Sequence, residues 1–395
     1  MNDFIQIVVP ALVALACTSW IYPYLLKVAK VKNIVDNPDN RKLQRVPIPV
    51  LGGLTVAFGI LSGLMVLNLL GGFRDMFSVF ASVVIILIIG MMDDMISLSP
   101  KVKLVAQVIL VLYMILSTGN QICDLHGFWG FSGIPHYISI LLTVFACVGI
   151  INAINLIDGV DGYSSGYTIV SSLLFGWMFY ELGNIQMVAL AVIVAVSLVP
   201  FFLHNVFGKH SKMFIGDAGT LSLGVIFSTF VITILSPRPG EVDLSVNLGL
   251  VPFALAVLCV PVFDTLRVMS VRILRGKSPM SPDKTHLHHL FIELGYSHIG
   301  TTMSILGINL VVVLCWYIAY RFGLSVDVQL YIVVVLGLLV TFVFYPVVKK
   351  HIEKRTRVYD MFSRIAPLTH MERKGVWLFV QEFVDRAITK EISEE

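Results

Sequence analysis

Side chains able to do chemistry gather at four places in an otherwise apolar chain. Asp93 and Asp94 follow the apolar stretch ending Ile89-Gly90-Met91-Met92, and adjacent carboxylates at a helix end repel one another unless a cation or a proton lies between them. Lys101 and Lys103 open the next apolar stretch and bring positive charge within reach. Alone, the carboxylates also fit a solvated acidic loop, and the lysines fit ordinary charge flanking a membrane helix. A second cluster holds Asn152, Asn155, Asp158 and Asp161; each like pair is three residues apart, so a helical turn would put it on one face. Asn side chains at the foot of an apolar helix are costly unless satisfied. The two Asp-Gly steps fit simple turns, but four oxygen-bearing side chains in ten residues argue for a ligand.

The third cluster runs from Phe214 to Thr220 and sets Asp217 among small residues. Glycine lets backbone approach a ligand closely, and a helix N-terminus offers amides to phosphate; the plainer alternative is an Asp helix cap. The fourth is the 31-residue loop from Ser270 to Gly300, with Arg272, Arg275, Lys277, His286, His288 and His289. Gly276-Lys277-Ser278 imitates the end of a Walker A loop, but position 271 is Val where that pattern needs Gly. The histidines have no Cys or carboxylate beside them at zinc-ligand spacing, so imidazoles facing phosphate or sugar hydroxyls fit better. Together the clusters supply hard oxygen ligands, cations and hydrogen-bond donors. Oxygen ligands suit Mg²⁺ or Mn²⁺ with substrate phosphates, and the chemistry implied is phosphoryl transfer from a soluble diphosphate to a lipid.

The elements that must position these groups are membrane helices. Of 395 residues 57% are hydrophobic and only 13% charged, and mean hydropathy is +0.86; soluble domains carry about 25% charged residues. The bilayer is the solvent that tolerates such a chain. A net charge of +3 is too small to imply nucleic acid as a partner, and five well-separated cysteines form no disulfide framework or thiolate metal site. Eleven apolar runs are long enough to span, near 5–27, 50–71, 76–92, 102–118, 136–156, 164–182, 185–206, 214–235, 248–269, 301–320 and 328–348. The expected fold is therefore an all-α polytopic membrane domain over 1–348 with a cytoplasmic tail over 349–395. The start of the chain has no basic residue before Lys27 and no small-residue cleavage site, so it is expected to be a retained helix. With the N-terminus outside, 25 of the 28 basic residues fall inside and only Arg74, Arg238 and Arg321 outside, as the positive-inside rule asks. In the tail, Val376, Val380, Phe383, Val384 and Ile388 recur at helical spacing, which predicts an amphipathic helix on the cytoplasmic membrane surface, the alternative being a partner or homodimer helix.

From Pro38 to Tyr296 the chain resembles the polyprenyl-phosphate N-acetylhexosamine-1-phosphate transferases. The resemblance rests on Arg41-Lys42 followed by Pro49 and Gly52-Gly53, Asp93-Asp94 with Leu98-Ser99-Pro100-Lys101, Asn152 to Gly162, Phe214 to Thr220, Pro261 with Asp264-Thr265, and Ser281-Pro282-Asp283 with His286, His288 and His289. Within that family it is most similar to the bacterial undecaprenyl-phosphate GlcNAc-1-phosphate transferases. The resemblance implies an eleven-helix bundle in the bacterial plasma membrane, with a cytoplasmic site that converts UDP-GlcNAc and undecaprenyl phosphate to undecaprenyl-diphospho-GlcNAc and UMP with Mg²⁺ or Mn²⁺. It makes Asp217 the metal ligand with Asn155 as a second, and places Asp158 and Asp161 at a uridine pocket with Phe214 stacking on uracil. It puts Lys101 and Lys103 on the lipid phosphate, has Asp93 and Asp94 deprotonate or position the acceptor, and gives the HxHH loop to the donor. Where some relatives carry a basic residue this chain has Val46, so Arg45, Arg41 or Lys42 is expected to substitute. Another UDP-N-acetylhexosamine would need the same chemistry. A transporter should instead carry ionisable groups at mid-membrane, and a prenyltransferase an aspartate repeat, whose third Asp is replaced here by Ser97.

Overall fold

A computed structural model describes residues 3–38, 44, 46–71, 74–125, 127–130, 133–236, 248–281, 284–371 and 375–393, with the side chains of 74, 75 and 387–393 outside that set. Arg41, Lys42, Arg45, Arg238, Pro282 and Asp283 lie outside the described residues, so their expected roles have no structural counterpart here. Helices α1 (Asp3–Val31), α2 (Gly52–Gly71), α3 (Arg74–Ile96), α4 (Pro100–Thr118), α5 (His136–Leu156), α6 (Tyr163–Glu181), α7 (Ile185–Phe207) and α8 (Gly216–Leu235) build the first part of the bundle. They are followed by α9 (Leu250–Val257), α10 (Cys259–Leu274), the short α11 (Leu287–Glu293), α12 (His298–Arg321), α13 (Val326–Leu338), a π-helical turn (Leu339–Phe344) and α14 (Tyr345–Lys354). The tail adds α15 (Arg357–Ile365) and α16 (Val376–Ser393). The strand pairing among the described residues is one two-residue antiparallel ladder, β1 (Val35–Asp36) with β2 (Ile48–Pro49).

Among the described residues nine helices are long and apolar enough to cross a membrane, and α9 with α10, bent by 72° at Leu258, makes ten if the pair is one span. The remaining predicted run is α6, a 19-residue helix that is less apolar because its first half carries Ser164, Ser165, Gly166, Thr168, Ser171 and Ser172. All six are buried against protein, so this helix does not have to match lipid along that stretch. The last span also runs beyond the expected 348, continuing through the π turn to Lys354, where Arg355 adopts a left-handed φ of 45°.

At the centre stands α8, buried at every position from Ala218 to Leu235. Close approach of its neighbours demands residues without side chains. A Cβ on Gly90 of α3 would collide with the Ala218 backbone, and one on Gly53 of α2 with that of Gly219. Turns then fix which ends meet. Ser97 with φ 53° reverses the chain between α3 and α4, and the Ser99 hydroxyl caps α4 by accepting from Val102 N–H at 3.4 Å, with Pro100 in the first turn.

Of the apolar face expected for the tail helix α16, Val380 and Val384 are at least half-buried whereas Val376 and Phe383 are exposed, and the side chain of Ile388 lies outside the described residues. Trp377, Val380 and Val384 turn inward, with the Trp377 ring tilted against Phe207 at the end of α7, centroids 4.5 Å apart, while Val376, Phe379 and Phe383 stay exposed.

Candidate active site

The ends of α3, α5 and α10 and the starts of α4, α8 and α12 lie at one end of the bundle, and three of the four polar clusters meet there around Lys103. Its ammonium donates to Asp93 Oδ2 at 2.6 Å and to Asp217 Oδ2 at 3.0 Å. Asp93 is 8% exposed and its other oxygen accepts the Leu98 amide at 2.6 Å, so the α3–α4 turn locks the carboxylate in place. Asn155 donates from Nδ2 to Asp217 Oδ1 and to Thr220 Oγ1, both at 2.8 Å. Lys101 is exposed and joins no ion pair among the described residues, so Lys103 alone of the two lysines enters this cluster.

Two expectations change. Asp94 does not share the cation with Asp93; it accepts the backbone amides of Asp217 at 2.8 Å and Ala218 at 3.0 Å, capping α8 from another helix. The amides that the sequence reading offers to a phosphate are therefore already taken by a carboxylate, which the positive end of the helix favours. Asn152 and Asn155 also diverge, because Asn152 donates to Gln107 Oε1 at 2.7 Å and to its own helix at Val148 O at 2.8 Å.

The turn after α5 forms a second wall. Protein crowds Asp158 closely enough to push its carboxyl up to about 7, with the Asp217 and Asp161 charges adding to the effect, while one side of the residue stays open to water. Ser164 Oγ donates to it at 2.9 Å. Burial alone would raise Asp161 as well, but the His298 ring at 2.6 Å and the Lys212 ammonium at 2.5 Å outweigh it and hold that carboxyl below its ordinary value. Lys212 also lies 5.6 Å from the centre of the Phe214 ring, a cation–π contact.

The histidine loop closes the third wall through Asp264. Both Asp264 oxygens are used, one accepting Arg267 Nη2 at 2.6 Å and the other meeting His286 Nδ1 at 2.9 Å and the Leu287 amide at 3.0 Å. Arg267 in turn stacks 3.8 Å over Tyr345 of α14. His286 Nε2 is buried without a hydrogen-bond partner among the described residues. His288 packs on Gly159 so closely that a Cβ there would overlap its ring. Burial, reinforced by His289 and His286, holds the His288 imidazole well below its usual pKa. His289 lies 4.2 Å from His288, ring to ring. Arg272 is buried and donates to Pro279 O at 2.6 Å, fastening its own loop, whereas Arg275 is exposed. Lys212, His298 and Gln107 escaped the sequence reading. Lys212, two residues before Phe214, was legible only as topological charge, and the other two carry no local motif.

Among the described residues no three His, Cys, Asp or Glu side chains converge as a metal cage. Asp93 and Asp217 nevertheless direct hard oxygens at one shared cation, and two carboxylates completed by substrate phosphates are a common way to hold Mg²⁺.

Residues 76–235, which carry every member of the Lys103 cluster, match the sequence model of Glycosyl transferase family 4. A probable undecaprenyl-phosphate N-acetylglucosaminyl 1-phosphate transferase of Bacillus subtilis (strain 168) is 31% identical over 315 residues, 78% of this chain and 82% of its own. The chain belongs to glycosyl transferase family 4. An undecaprenyl-phosphate alpha-N-acetylglucosaminyl 1-phosphate transferase of Yersinia pestis is 27% identical over 275 residues, 69% of this chain and 73% of its own. A decaprenyl-phosphate N-acetylglucosaminephosphotransferase of Mycolicibacterium smegmatis is 33% identical over 172 residues, 40% and 42% of the two chains. In this family 4 transferase the matched segment ends before the histidine loop, which reaches the site by Asp264 and by packing on Gly159.

Proposed function

We propose that this membrane enzyme transfers GlcNAc-1-phosphate from UDP-GlcNAc to undecaprenyl phosphate, giving undecaprenyl-diphospho-GlcNAc and UMP, on the cytoplasmic face of the bacterial plasma membrane. One observation carries the reading: a buried-edge lysine shared by two carboxylates stands beside a wall of Asp158, Asp161 and the histidine loop, at the end of an apolar bundle where a lipid phosphate and a soluble diphosphate can meet. The basic residues gathered at this end support a cytoplasmic orientation with the N-terminus outside.

An oxygen of the acceptor phosphate attacks the β-phosphorus of UDP-GlcNAc, and the bond from that phosphorus to the UMP oxygen breaks, UMP leaving with the electron pair. A phosphate monoester is largely ionised near pH 7, so the acceptor needs no general base. Asp93 is held by Lys103 and the Leu98 amide, and Asp94 by two amides of α8, which favours an electrostatic role for the first and a positioning role for the second. Lys103 neutralises charge on the phosphates as it redistributes, where positioning and electrostatics supply most of the catalysis. Asp217 and Asp93 would hold Mg²⁺ or Mn²⁺, with Asn155 orienting Asp217 through its amide nitrogen. When bound, the cation would offset the negative charge of the diphosphate and of departing UMP. Asp158, Phe214 and the imidazoles of His286 and His288 form the donor wall, and this set would recognise uridine and the amino sugar.

The test is UMP release by purified protein supplied with UDP-GlcNAc and undecaprenyl phosphate. Release dependent on both substrates supports the reading. Turnover of another UDP-N-acetylhexosamine in place of UDP-GlcNAc would move the sugar assignment, and no UMP from any of them would sink it.

A further inference from the structure

We infer that the C-terminal helix is a clamp on the donor wall, with Asp385 as its positioning residue; the donor side of this inference rests on the function proposed above. One carboxylate of α16 accepts three consecutive backbone amides in the turn between α7 and α8: Lys209 at 3.1 Å on Oδ2, and His210 at 3.2 Å and Ser211 at 3.1 Å on Oδ1. Successive amides aimed at one point form an anion-binding concavity, and here the chain fills its own. The turn's carbonyls are held from α1, where Lys30 Nζ donates to His210 O at 2.9 Å and buried Tyr22 Oη donates to Ser211 O at 2.8 Å. Every peptide group from 209 to 211 is therefore tied to an element distant in the chain.

The next residues are the donor wall itself. Lys212 pairs with Asp161, and Phe214 exchanges backbone hydrogen bonds with the β2–α2 segment, its amide to Pro49 O at 2.8 Å and its carbonyl to the Gly52 amide at 3.0 Å. Asn205 bridges the same segment to the Asp158 turn, donating to Met213 O at 2.9 Å and accepting the Gly162 amide at 2.7 Å. Releasing Asp385 frees three amides one residue before Lys212, so the effect should reach the Lys212–Asp161 pair and Phe214 and leave the Lys103 cluster in place. Trp377 against Phe207 and the buried Val384 seat the helix so that Asp385 faces the turn.

The experiment uses the full-length protein in lipid nanodiscs, with Asp385→Ala, Asp385→Asn and, as a control on the exposed face of the same helix, Glu382→Gln. In Asp385→Ala, amide hydrogen exchange at 209–211 should accelerate by at least ~10-fold. The KM for UDP-GlcNAc should rise about tenfold, with kcat and the KM for undecaprenyl phosphate within about twofold, as expected for losing hydrogen bonds to a charged group on one side of the site. Asp385→Asn keeps one acceptor oxygen and should fall between; Glu382→Gln should match wild type. Adding Asp385→Ala to Lys212→Ala should raise the donor KM little further, because both act through one chain segment. Unchanged exchange at 209–211, faster exchange with an unchanged donor KM, or an equal rise in both KM values with a general loss of thermal stability would each overturn the clamp. Exchange needs no substrate. If wild type releases no UMP, the proposed function and the donor-side role fall together, while the exchange arm still decides whether Asp385 holds the turn.

Discussion

Adjacent in the chain, Asp93 turns toward Lys103 while Asp94 turns to the first amides of α8. Asp217→Asn keeps size and removes one of the two charges around the shared cation, so kcat/KM should fall by at least ~10²-fold, as when a preorganised electrostatic contact is lost. Asp94→Asn keeps an acceptor for the α8 amides and should lose less activity than Asp217→Asn. Steady-state kinetics on folded variants check both, and near-normal turnover of Asp217→Asn at limiting Mg²⁺ would remove Asp217 from the metal site. Asp158 supplies a pH dependence. Its carboxyl is raised from an ordinary value of 3.8 to about 7 in the folded protein, so its contribution to stability is full below the ordinary value and is lost as pH rises from there through 7. A uridine donor hydrogen bond would favour the ionised form. UDP-GlcNAc binding should then tighten by up to roughly tenfold from pH 6 to pH 8, the span over which a group of pKa 7 becomes ionised. Calorimetric titration of wild type and Asp158→Asn checks this; equal slopes in the two proteins would remove Asp158 from the donor pocket.

At the scale of elements, the site depends on how closely α3 and α8 cross. Gly90 faces the backbone of Ala218, one residue from Asp217, so the crossing sets the distance between the carboxylates that share Lys103. Gly90→Val should push the helices apart and destabilise the protein by about 1–3 kcal/mol, the range for overpacking a close-packed interior. Thermal unfolding in detergent reads the stability and UMP release reads the site; unchanged values for both would show that the crossing has slack. The bend at Leu258 between α9 and α10 has a comparable consequence, since α10 carries Asp264 and Arg267, the anchors of the histidine loop.

For the whole molecule, placing the charged clusters and the tail at one end of an apolar bundle requires that this end face a single compartment. Labelling with a membrane-impermeant thiol reagent from the outer face, in a variant without native cysteines, should modify Asn184→Cys in the α6–α7 turn and spare Lys284→Cys in the histidine loop. The reverse pattern would put the basic end and the site outside and overturn the cytoplasmic assignment. Membership of family 4 and the bundle itself would survive that outcome, because neither depends on direction.

The span-forming runs and the chemical character of the site were legible in the sequence because both are local. A bilayer demands about 20 apolar residues in a row whatever packs around them, and hard oxygen ligands beside lysines and imidazoles announce phosphate chemistry wherever they fold. The Asn155, Asp158 and Asp217 clusters were found that way. Tertiary structure decided which partner each group takes. Spacing puts Asp93 and Asp94 side by side, but only the crossing of α3 with α8 sends one to a lysine and the other to a helix end. Spacing makes Asn152 and Asn155 equivalent, and only the neighbouring α4 and α8 tell them apart. Length and hydropathy make α6 one more expected span, yet the serines of its polar first half are accommodated because protein surrounds them there. Lys212, His298 and Asp385 carry no motif at all, since their partners lie between 51 and 176 residues away in the chain. Periodicity reports which face of an element is apolar; which distant carboxylate or amide meets that face depends on how the helices cross and on the small residues that let their backbones touch.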